Sequence, residues 1–505
     1  MEEKWLPHLV WEGANDRPES IMCWSIIGDA WFWLHPSGVI EWVIRIVMLV
    51  VIVLRKENPT ICLAWLAVVF FEPFLGVLIY LLVGEIRLGR RRLARRRFRQ
   101  AEFALREFLS LEGRHQVDPA NGGGGHVAVR LDERVGGWPV LGGNRVTFIA
   151  ETEEVVDCLI ADIDAARHHV HLLFYIYADD EVGIRVGNAL VRARQRGVIC
   201  RLMVDAVGSR KLFRRLAGKL QSAGVEVVPA LPVTLWRLPF SRIDLRNHRK
   251  LAVIDGTVAY TGSQNIVERT YGRQMAGGWH DMMARLTGPV TRQLQVVFFE
   301  DWFHETDELI EDPEYFPPAV AEGDVAVQVI PTGPDLPTEA FRDLVVQAIF
   351  SARRRVTITT PYFVPDEPML LALRAAAVRG LRVDVVVPYR SNHRLVDAAS
   401  EFYCEHLMRY GVRIFRFRDG LPHGKTMTID GRLAVFGSAN YDIRSFQLNF
   451  ELNLLFHSPE AVADLVRLQE QYRKRSRKAI PRRWPSPRFP GRLKRNLAKL
   501  FSRLI

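Results

Sequence analysis

Cysteine is scarce in this chain of 505 residues, and the few present do not form a metal-ligand pattern. Five cysteines are an odd number, and no two of them stand at C-x2-C spacing. The sequence therefore predicts neither a disulfide framework nor a structural zinc site, and a reducing compartment is the simpler interpretation. Lysine is also scarce, with 10 against 58 arginines, so a motif that repeats a lysine is hard to obtain by chance.

Acidic residues are missing from two strongly basic segments. Positions 87–99 hold eight arginines and no acid, and the tail after Glu470 holds 13 lysines and arginines and no acid. The formal charge of +11 is concentrated in these segments, which leaves the rest of the chain net acidic. A nuclease would place its positive charge around the catalytic residues. The distribution therefore indicates contact with a membrane and not with nucleic acid.

Two apolar runs precede the first basic segment. They span 39–54 and 61–83, and a polar break separates them. The second run exceeds the roughly 20 residues that cross a bilayer, although Glu72 and Pro73 interrupt it. The runs predict a transmembrane helical hairpin over 38–84, and the arginines that follow it place the rest of the chain on the cytoplasmic side.

The end of the basic tail also has a helical pattern. The leucines and one phenylalanine between 491 and 505 share one helical face, and most of the cations lie elsewhere. This pattern predicts either an interfacial helix on the membrane or a helix that docks on the protein's own surface. The mixture of aromatic residues and arginines over 231–246 is equally compatible with lipid headgroup contact and with loop packing.

The chain between these flanks is duplicated. Residues 169–204 and 355–387 each read as a strand, a helix and a second strand, which predicts β-α-β units in a largely parallel, buried sheet. Downstream, each half contains H-x-K-x4-D followed by G-S-x-N, and every member of the second copy lies 175 residues after its counterpart. The motif residues are His248, Lys250, Asp255, Ser263 and Asn265 in the first half, and His423, Lys425, Asp430, Ser438 and Asn440 in the second.

This pattern suits phosphoryl chemistry. A strand that reads His-x-Lys points both side chains to one face. A neutral imidazole can attack phosphorus, and a neighbouring ammonium neutralises the phosphoryl oxygens, to which serine and asparagine can donate. Two copies could bring His248 and His423 to opposite sides of one phosphodiester, where one attacks and the other protonates the departing alkoxide. Such a reaction requires no metal and no cofactor, and the HHVH sequence at 168–171 is better explained as structural than as a metal site.

The duplicated motifs identify the chain as resembling the phospholipase D superfamily, and in more detail its bacterial cardiolipin synthase branch. The resemblance extends to NPT-x-x-LAW and GVLIYLLVGE in the apolar hairpin, to GNRV at 143–146, and to the C-terminal FSRLI. It implies an α/β fold with two similar phospholipase D-like α-β-α lobes packed around one active site and preceded by the transmembrane helical hairpin. The implied segments are an N-terminal interfacial segment (1–37), the hairpin (38–84), a basic juxtamembrane segment and linker (85–140), the first lobe (141–315), the second lobe (316–472) and a basic tail with an amphipathic helix (473–505).

The resemblance also implies roles for the site residues. In the family a carboxylate about thirty residues after each histidine orients the imidazole, and Asp281 and Glu451 match these positions. His248 is then the nucleophile and His423 the general acid and base, although the symmetry of the motifs permits the reverse. The motif acids, the last members of H-x-K-x4-D, are expected to brace the loop after the strand and not to move protons.

The implied reaction is the transfer of a phosphatidyl group from one phosphatidylglycerol to another through a phosphohistidine, with release of glycerol. The implied partners are phosphatidylglycerol and anionic membrane lipids, and the implied location is the bacterial cytoplasmic membrane, as a multi-pass protein. Hydrolysis to phosphatidic acid and transfer to another alcohol remain open. A nuclease is disfavoured because the catalytic half is acidic, and a non-catalytic scaffold because both motifs are intact.

Overall fold

The computed structural model describes the chain from residue 36 to residue 480 with gaps, together with five positions near the C-terminus. The described residues are 36–56, 58–84, 115–117, 138–233, 244–272, 277–310, 312–334, 339–480, 491, 493, 495, 496 and 498. The chain divides into two compact units, Met1–Glu85 and Ile86–Ile505. Residues 1–35, the arginine segment 87–99, the aromatic residues at 234–243 and most of the basic tail lie outside the described residues.

The first unit consists of helices. It contains α1 (Pro36–Arg55), α2 (Pro59–Phe71), α3 (Pro73–Ile79) and a π-helical turn (Tyr80–Gly84). The apolar run predicted as a single crossing is two helices instead, because Pro73 has no N–H to continue the helical ladder. Within the described residues, no helix combines the length and the hydropathy that a membrane crossing needs.

The second unit is built on an extended β-sheet. Its strands, among the described residues, are β1 Leu141–Ile149, β2 His169–Phe174, β3 Ile199–Asp205, β4 Glu226–Ala230, β5 Lys250–Ile254, β6 Val258–Gly262, β7 Trp279–His280, β8 Met283–Thr287, β9 Val325–Thr332, β10 Arg355–Thr359, β11 Phe363–Val364, β12 Arg382–Pro388, β13 Arg413–Phe417, β14 Leu421–Pro422, β15 Lys425–Ile429, β16 Leu433–Gly437, β17 Tyr441–Asp442, β18 Glu451–Phe456 and β19 Ser476–Lys478. Fifteen of these strands form one sheet in the order β19-β13-β12-β10-β15-β16-β18-β9-β1-β8-β6-β5-β2-β3-β4, and the other four, which are short, form two further pairs.

The sheet consists of two equivalent lobes joined edge to edge. Strands β1 and β9 pair antiparallel at the centre, and equivalent strands follow in the same order on each side of them, with the additional strand β19 at the edge of the second lobe. This arrangement confirms the duplicated α/β fold. The sheet is not largely parallel, however, because only β2-β3-β4 and β10-β12-β13 are parallel, whereas the strands that follow the motif histidines pair antiparallel to their neighbours. The β-α-β pattern therefore predicted one part of each lobe and not the whole.

Helices cover both faces of the sheet. They are α4 Thr152–Ala165, α5 Glu181–Gln195, α6 Arg210–Arg215, α7 Ala217–Ser222, α8 Val290–Thr306, α9 Ala340–Ser351, α10 Glu367–Val378, α11 Arg394–Met408, α12 Ile443–Gln447 and α13 Pro459–Lys474. In each half a tyrosine is followed by an acid that begins a helix, namely Tyr175 by Asp180 and Tyr362 by Asp366. Asp180 accepts from the Gly183 N–H at the start of α5, and Asp366 accepts from the Met369 N–H at the start of α10. These side-chain caps stabilise helix N-termini.

The described part of the C-terminal tail lies against the second lobe. Arg495 is 7% exposed, and its guanidinium donates to the Glu405 carboxylate on α11 at 3.0 Å. Ala498 is buried in the apolar core beneath the same helix. Of the two alternatives for the C-terminal helix, these contacts support the one in which it docks on the protein's own surface.

Candidate active site

Each motif histidine lies where the two lobes meet. His248 precedes β5 in the first lobe and His423 precedes the equivalent β15 in the second. The His248 backbone N–H donates to the Phe450 carbonyl at 2.8 Å, and the His423 N–H donates to the His280 carbonyl at 2.8 Å. Each histidine is therefore fixed to the opposite lobe by its own backbone.

The two predicted orienting carboxylates contact the histidines in a crossed arrangement. His248 Nδ1 lies 2.9 and 3.0 Å from the Glu451 oxygens, and His423 Nδ1 lies 2.6 Å from Asp281 Oδ1. The structure thus brings both carboxylates to the histidines. The pairing that the spacing of about thirty residues implied is wrong, because each carboxylate serves the histidine of the other lobe.

The two motif serines bind these same carboxylates. The Ser263 hydroxyl donates to Asp281 at 2.6 Å, and the Ser438 hydroxyl donates to Glu451 at 2.6 Å. Each hydroxyl oxygen also accepts a backbone N–H at 2.9 Å, and both serines are fully buried. The predicted contact of these serines with substrate phosphate is not what the structure shows. Their hydroxyl protons are committed to the carboxylates, so each half of the site is a chain from serine through carboxylate to imidazole.

The two motif lysines lie beside the histidines in a buried position. Lys250 Nζ donates to the His248 carbonyl at 2.5 Å, and Lys425 Nζ donates to the His423 carbonyl at 2.7 Å. Burial lowers the pKa of Lys250 to about 7, against the opposing effect of Glu451 and Asp281. Burial also lowers the pKa of Lys425, and the charge of Lys250 lowers it further. Both lysine side chains therefore lie in one site with both carboxylates, whose negative charges act against burial and favour the ammonium forms.

Both imidazoles are neutral near pH 7. Burial lowers the pKa of His248 to about 4 although Glu451 acts to raise it, and it lowers the pKa of His423 to about 4. Burial alone would raise the pKa of Asp281, but the His423 and Lys425 contacts overcome it and lower that pKa to about 2. With a charged carboxylate as acceptor, each neutral imidazole carries its proton on Nδ1. The Nε2 lone pair is then available for attack.

The motif acids lie at the far ends of the motif strands. Asp255 accepts the backbone N–H groups of Arg167, His168 and His169, and Asp430 accepts the equivalent three of 353–355. Both acids adopt left-handed backbone conformations, with φ of 51° and 54°. The five-residue strand that lies between each acid and its histidine is about 16 Å long. Their carboxylates thus hold the segments that enter β2 and β10, which supports the predicted bracing role.

The motif asparagines hold neighbouring loops. Asn265 Oδ1 accepts the Ile176 N–H at 3.0 Å, while the Asn440 backbone N–H donates to Ser445 Oγ at 3.2 Å. Among the described residues, the buried Asn440 Oδ1 has no hydrogen-bond partner. Asn265 therefore has one structural contact in place of the predicted phosphate contact, whereas Asn440 keeps a polar atom without a protein partner.

Two aromatic rings that the sequence did not single out as site residues contact the histidines. Tyr175 lies edge-on to His248, with ring centroids 4.9 Å apart, and the Lys250 ammonium lies 5.3 Å from the same ring. Trp279 lies 4.6 Å from His423. The sequence offers one signal for each ring: Tyr175 precedes a pair of acids as Tyr362 does in the second half, and Trp279 lies two residues before Asp281. These rings help to exclude water from the histidines.

An arginine inside the first motif joins the lobes. Arg249 is buried, pairs with Asp301 at 2.8 Å, and donates to the backbone carbonyls of Glu451 and Thr332 at 3.2 Å. The second motif has Gly424 at the equivalent position. Arg249 thus anchors the strand that carries the carboxylate bound to His248.

Comparisons with known proteins identify the family and agree with the fold. A family model described as "Cardiolipin synthase, PLD-like domain" matches residues 159–302 and 345–472, and one described as "Phospholipase_D-nuclease N-terminal" matches residues 43–85. Cardiolipin synthase A of Erwinia tasmaniensis is 35% identical over 493 residues, and that of Serratia proteamaculans is 36% identical over 500 residues; both alignments cover 96% of this chain and 99% of the relative. The crystal structure of phosphatidylserine synthase from Haemophilus influenzae has a TM-score of 0.58 at 16% identity, covering 75% of this chain and 97% of that one. This last similarity shows the fold alone.

Proposed function

Because the chain belongs to the cardiolipin synthase family of phospholipase D-like enzymes, we propose that it transfers a phosphatidyl group from one phosphatidylglycerol to another and releases glycerol. The observation that carries this proposal is the pair of buried imidazoles, each bound at Nδ1 to a carboxylate of the opposite lobe. A site with two such imidazoles can supply one nucleophile and one proton donor to a single phosphodiester.

In the first step His248 Nε2 attacks the phosphorus, and the bond from phosphorus to the glycerol oxygen breaks. His423 gives its proton to that oxygen, so glycerol leaves and a phosphatidyl-histidine remains. The bound phosphodiester is anionic and raises the pKa of His423 above its resting value, which allows the imidazole to carry this proton. The Lys250 and Lys425 ammonium groups offset the charge that develops on the phosphoryl oxygens.

In the second step a hydroxyl of another phosphatidylglycerol attacks the phosphorus. His423 takes the hydroxyl proton, and the bond from phosphorus to His248 breaks, which yields cardiolipin and the free imidazole. The His248 and His423 side chains are only 12% and 5% exposed. This enclosure favours a lipid hydroxyl over water in the second step.

The first unit is proposed to hold the enzyme at the membrane. Its outward side chains are strongly apolar: Phe71 is 84% exposed, Leu54 80% and Leu63 67%. Such a surface suits hydrocarbon as solvent. We place this hairpin unit (38–84) in the bacterial cytoplasmic membrane as a multi-pass anchor, with the lobes 141–315 and 316–472 on the cytoplasmic side, where they reach anionic lipids.

Product analysis tests the reaction. Purified full-length protein is given phosphatidylglycerol labelled in its headgroup and in its phosphate. Cardiolipin with an equal amount of free glycerol is expected. Phosphatidate in place of cardiolipin would instead establish a hydrolase, and a product that requires another added alcohol would establish a different acceptor.

The assignment of the two histidines needs a substrate with a better leaving group. Phosphatidyl-p-nitrophenol does not require protonation of its leaving group, so the His423→Ala variant should release nitrophenol once and retain the labelled phosphatidyl group on the protein. The His248→Ala variant should do neither. His406→Ala, on α11 of the second lobe, is the control and should match the wild type. Retention of label by His248→Ala alone would reverse the two roles.

A further inference from the structure

The two lobes differ at the amino ends of their parallel strands. The strand registers place His169 beside Ile199 in the first lobe and Arg355 beside Arg382 in the second. On the next pair of strands, the registers place Arg201 beside Glu226 in the first lobe and Asp384 beside Arg413 in the second, so Arg413 occupies the position of Glu226. Three neighbouring strands of the second lobe therefore each bring an arginine to this edge, and the first lobe has none at these three positions.

In the first lobe this edge is closed by a tyrosine. Tyr315 is 6% exposed, and its ring lies 5.0 Å from His169 and 5.5 Å from His171. Its hydroxyl accepts from Arg201 at 3.1 Å, and Gln295 bonds both of these histidines. The position is thus filled by packed, mutually hydrogen-bonded side chains.

In the second lobe the same edge is an open basic pocket. Its volume is about 500 Å³. The pocket is lined by Arg355, Arg382, Arg467, Arg473, Lys474 and Glu470. Behind it, the fully buried Asp384 binds Arg355 at 3.3 Å, Arg382 at 3.1 Å and also Arg413. The buried Asp384 carboxylate therefore keeps the two of these guanidinium groups that line the pocket, those of Arg355 and Arg382, in fixed positions.

The charges of this pocket do not balance. Six cations, the five that line it and Arg413, face three acids, namely Asp384, Glu470 and the Asp464 partner of Arg467. Burial and the neighbouring charge of Arg382 lower the pKa of Arg355. The Arg355 Nε–H is buried, and among the described residues it has no acceptor. A concave site with excess positive charge and an unused donor is suited to an anion.

We propose that this pocket binds a phosphate-bearing anion, either the phosphate of a phospholipid headgroup or a free phosphate compound. Fixed guanidinium forks match the geometry of phosphate oxygens. The pocket is separate from the catalytic histidines, because it lies at the Arg355 end of β10 whereas Thr359, at the other end, pairs with the neighbour of Lys425. The ligand would therefore bind about one strand length, roughly 16 Å, from the site of transfer.

Lysine footprinting locates the ligand on the full-length protein. Lys474 lines the pocket and is exposed, Lys219 is exposed on α7 of the first lobe, and Lys250 and Lys425 are buried. The acetylation rate of each lysine is measured by mass spectrometry in neutral detergent. At saturation, inorganic phosphate or dihexanoyl phosphatidylglycerol should slow acetylation of Lys474 at least fivefold and leave Lys219 unchanged. Dihexanoyl phosphatidylcholine, which has no net charge, should protect less.

Charge reversal supplies the second measurement. The double variant Arg382→Glu/Arg467→Glu should raise the dissociation constant of the anion, taken from the concentration that half-protects Lys474, at least tenfold. The matched control is Arg192→Glu/Arg409→Glu, which reverses two arginines of similar exposure that are paired with helix acids outside the pocket. The control should change the constant less than twofold. If the pocket variant does not fold, the footprint at Lys474 in the wild type still decides.

The outcomes separate the two sources of phosphate. Tenfold tighter binding of dihexanoyl phosphatidylglycerol than of inorganic phosphate identifies a lipid headgroup, and equal or tighter binding of inorganic phosphate identifies a free phosphate. Absence of protection at Lys474 by either anion overturns the proposal. So does a pocket variant that binds both anions as well as the control does. Neither measurement depends on turnover, so the proposal can fail while the proposed reaction stands, and the reverse.

Discussion

The crossed pairing of carboxylates and histidines predicts which imidazole each carboxylate controls. Replacement of Glu451, in the second lobe, with glutamine should perturb His248 in the first. A hydrogen bond to a charged group contributes about 1.5–3 kcal/mol. With a factor of ten for each 1.36 kcal/mol, its loss from the transition state lowers kcat by roughly 10- to 150-fold.

The physical reason is loss of charge and of a fixed tautomer. The carboxylate accepts the Nδ1 proton and stabilises the imidazolium, whereas an amide can also donate to Nδ1 and thereby move the proton to Nε2. The Nε2 lone pair is then lost from part of the population. The same free energy corresponds to about one to two pKa units, so the pKa of His248, already about 4, should fall further.

Nitrogen NMR of protein labelled in histidine measures this effect directly. Spectra of His248→Ala and His423→Ala assign the two imidazoles. The Glu451→Gln substitution should shift the nitrogen signals of His248 and leave those of His423 in place, and Asp281→Asn should do the opposite. If each substitution instead shifted the histidine of its own lobe, the crossed arrangement would be refuted, whatever happened to kcat.

Three further expectations follow from the same geometry. Lys250→Ala should lower kcat roughly 100- to 1,000-fold, as loss of a donor to a developing oxyanion does, whereas Lys219→Ala in a steady-state assay should not. Asp255→Ala removes the carboxylate that accepts three backbone N–H groups, at roughly 0.5–1.5 kcal/mol for each hydrogen bond. Urea unfolding should therefore show an unfolding free energy lower by about 2–4 kcal/mol, while kcat of the folded protein should stay within threefold of wild type. An unchanged urea midpoint together with lost activity would contradict the bracing role. The pKa of His248 and of His423 is about 4 in the folded protein and about 6.5 in the unfolded chain. Between these pH values the unfolded state binds more protons, so the unfolding free energy should fall from pH 6.5 to pH 4 by up to about 3 kcal/mol per histidine. A urea midpoint that does not change over this pH range would contradict the lowered pKa values.

The duplication was readable from the sequence because it needs only local patterns. The constant offset of 175 residues between the motifs required equivalent strands in two lobes, and the structure has them as β5 and β15. The strand direction was less accessible. Apolar runs report that a strand is buried, but they do not distinguish a parallel from an antiparallel neighbour.

The spacing of the site residues along the chain did not determine which of them contact each other. Asp281 and Glu451 were found as residues, yet a count along the chain could not say which imidazole each contacts, because the answer depends on how the lobes pack. The serines show the same limit. Their position after each motif indicated a place in the site, but whether Ser263 meets phosphate or a carboxylate depends on a neighbour 18 residues away. Tyr315, which closes the edge of the first lobe, lies in a segment after α8. The internal repeat did not predict where this segment packs.

The crossed contacts explain why the duplicated halves must remain together. Glu451 of the second lobe fixes the tautomer of His248, the proposed nucleophile of the first lobe. Asp281 of the first lobe fixes the tautomer of His423, the proposed proton donor of the second. Arg249 adds a constraint between the lobes, because its ion pair with Asp301 holds it in the first lobe while its bonds to the Glu451 and Thr332 carbonyls reach the second. A change at the lobe interface thus moves an imidazole relative to its carboxylate before it changes any residue that touches substrate. Catalysis in such an enzyme is a property of the interface, and neither half contains a complete histidine and carboxylate pair.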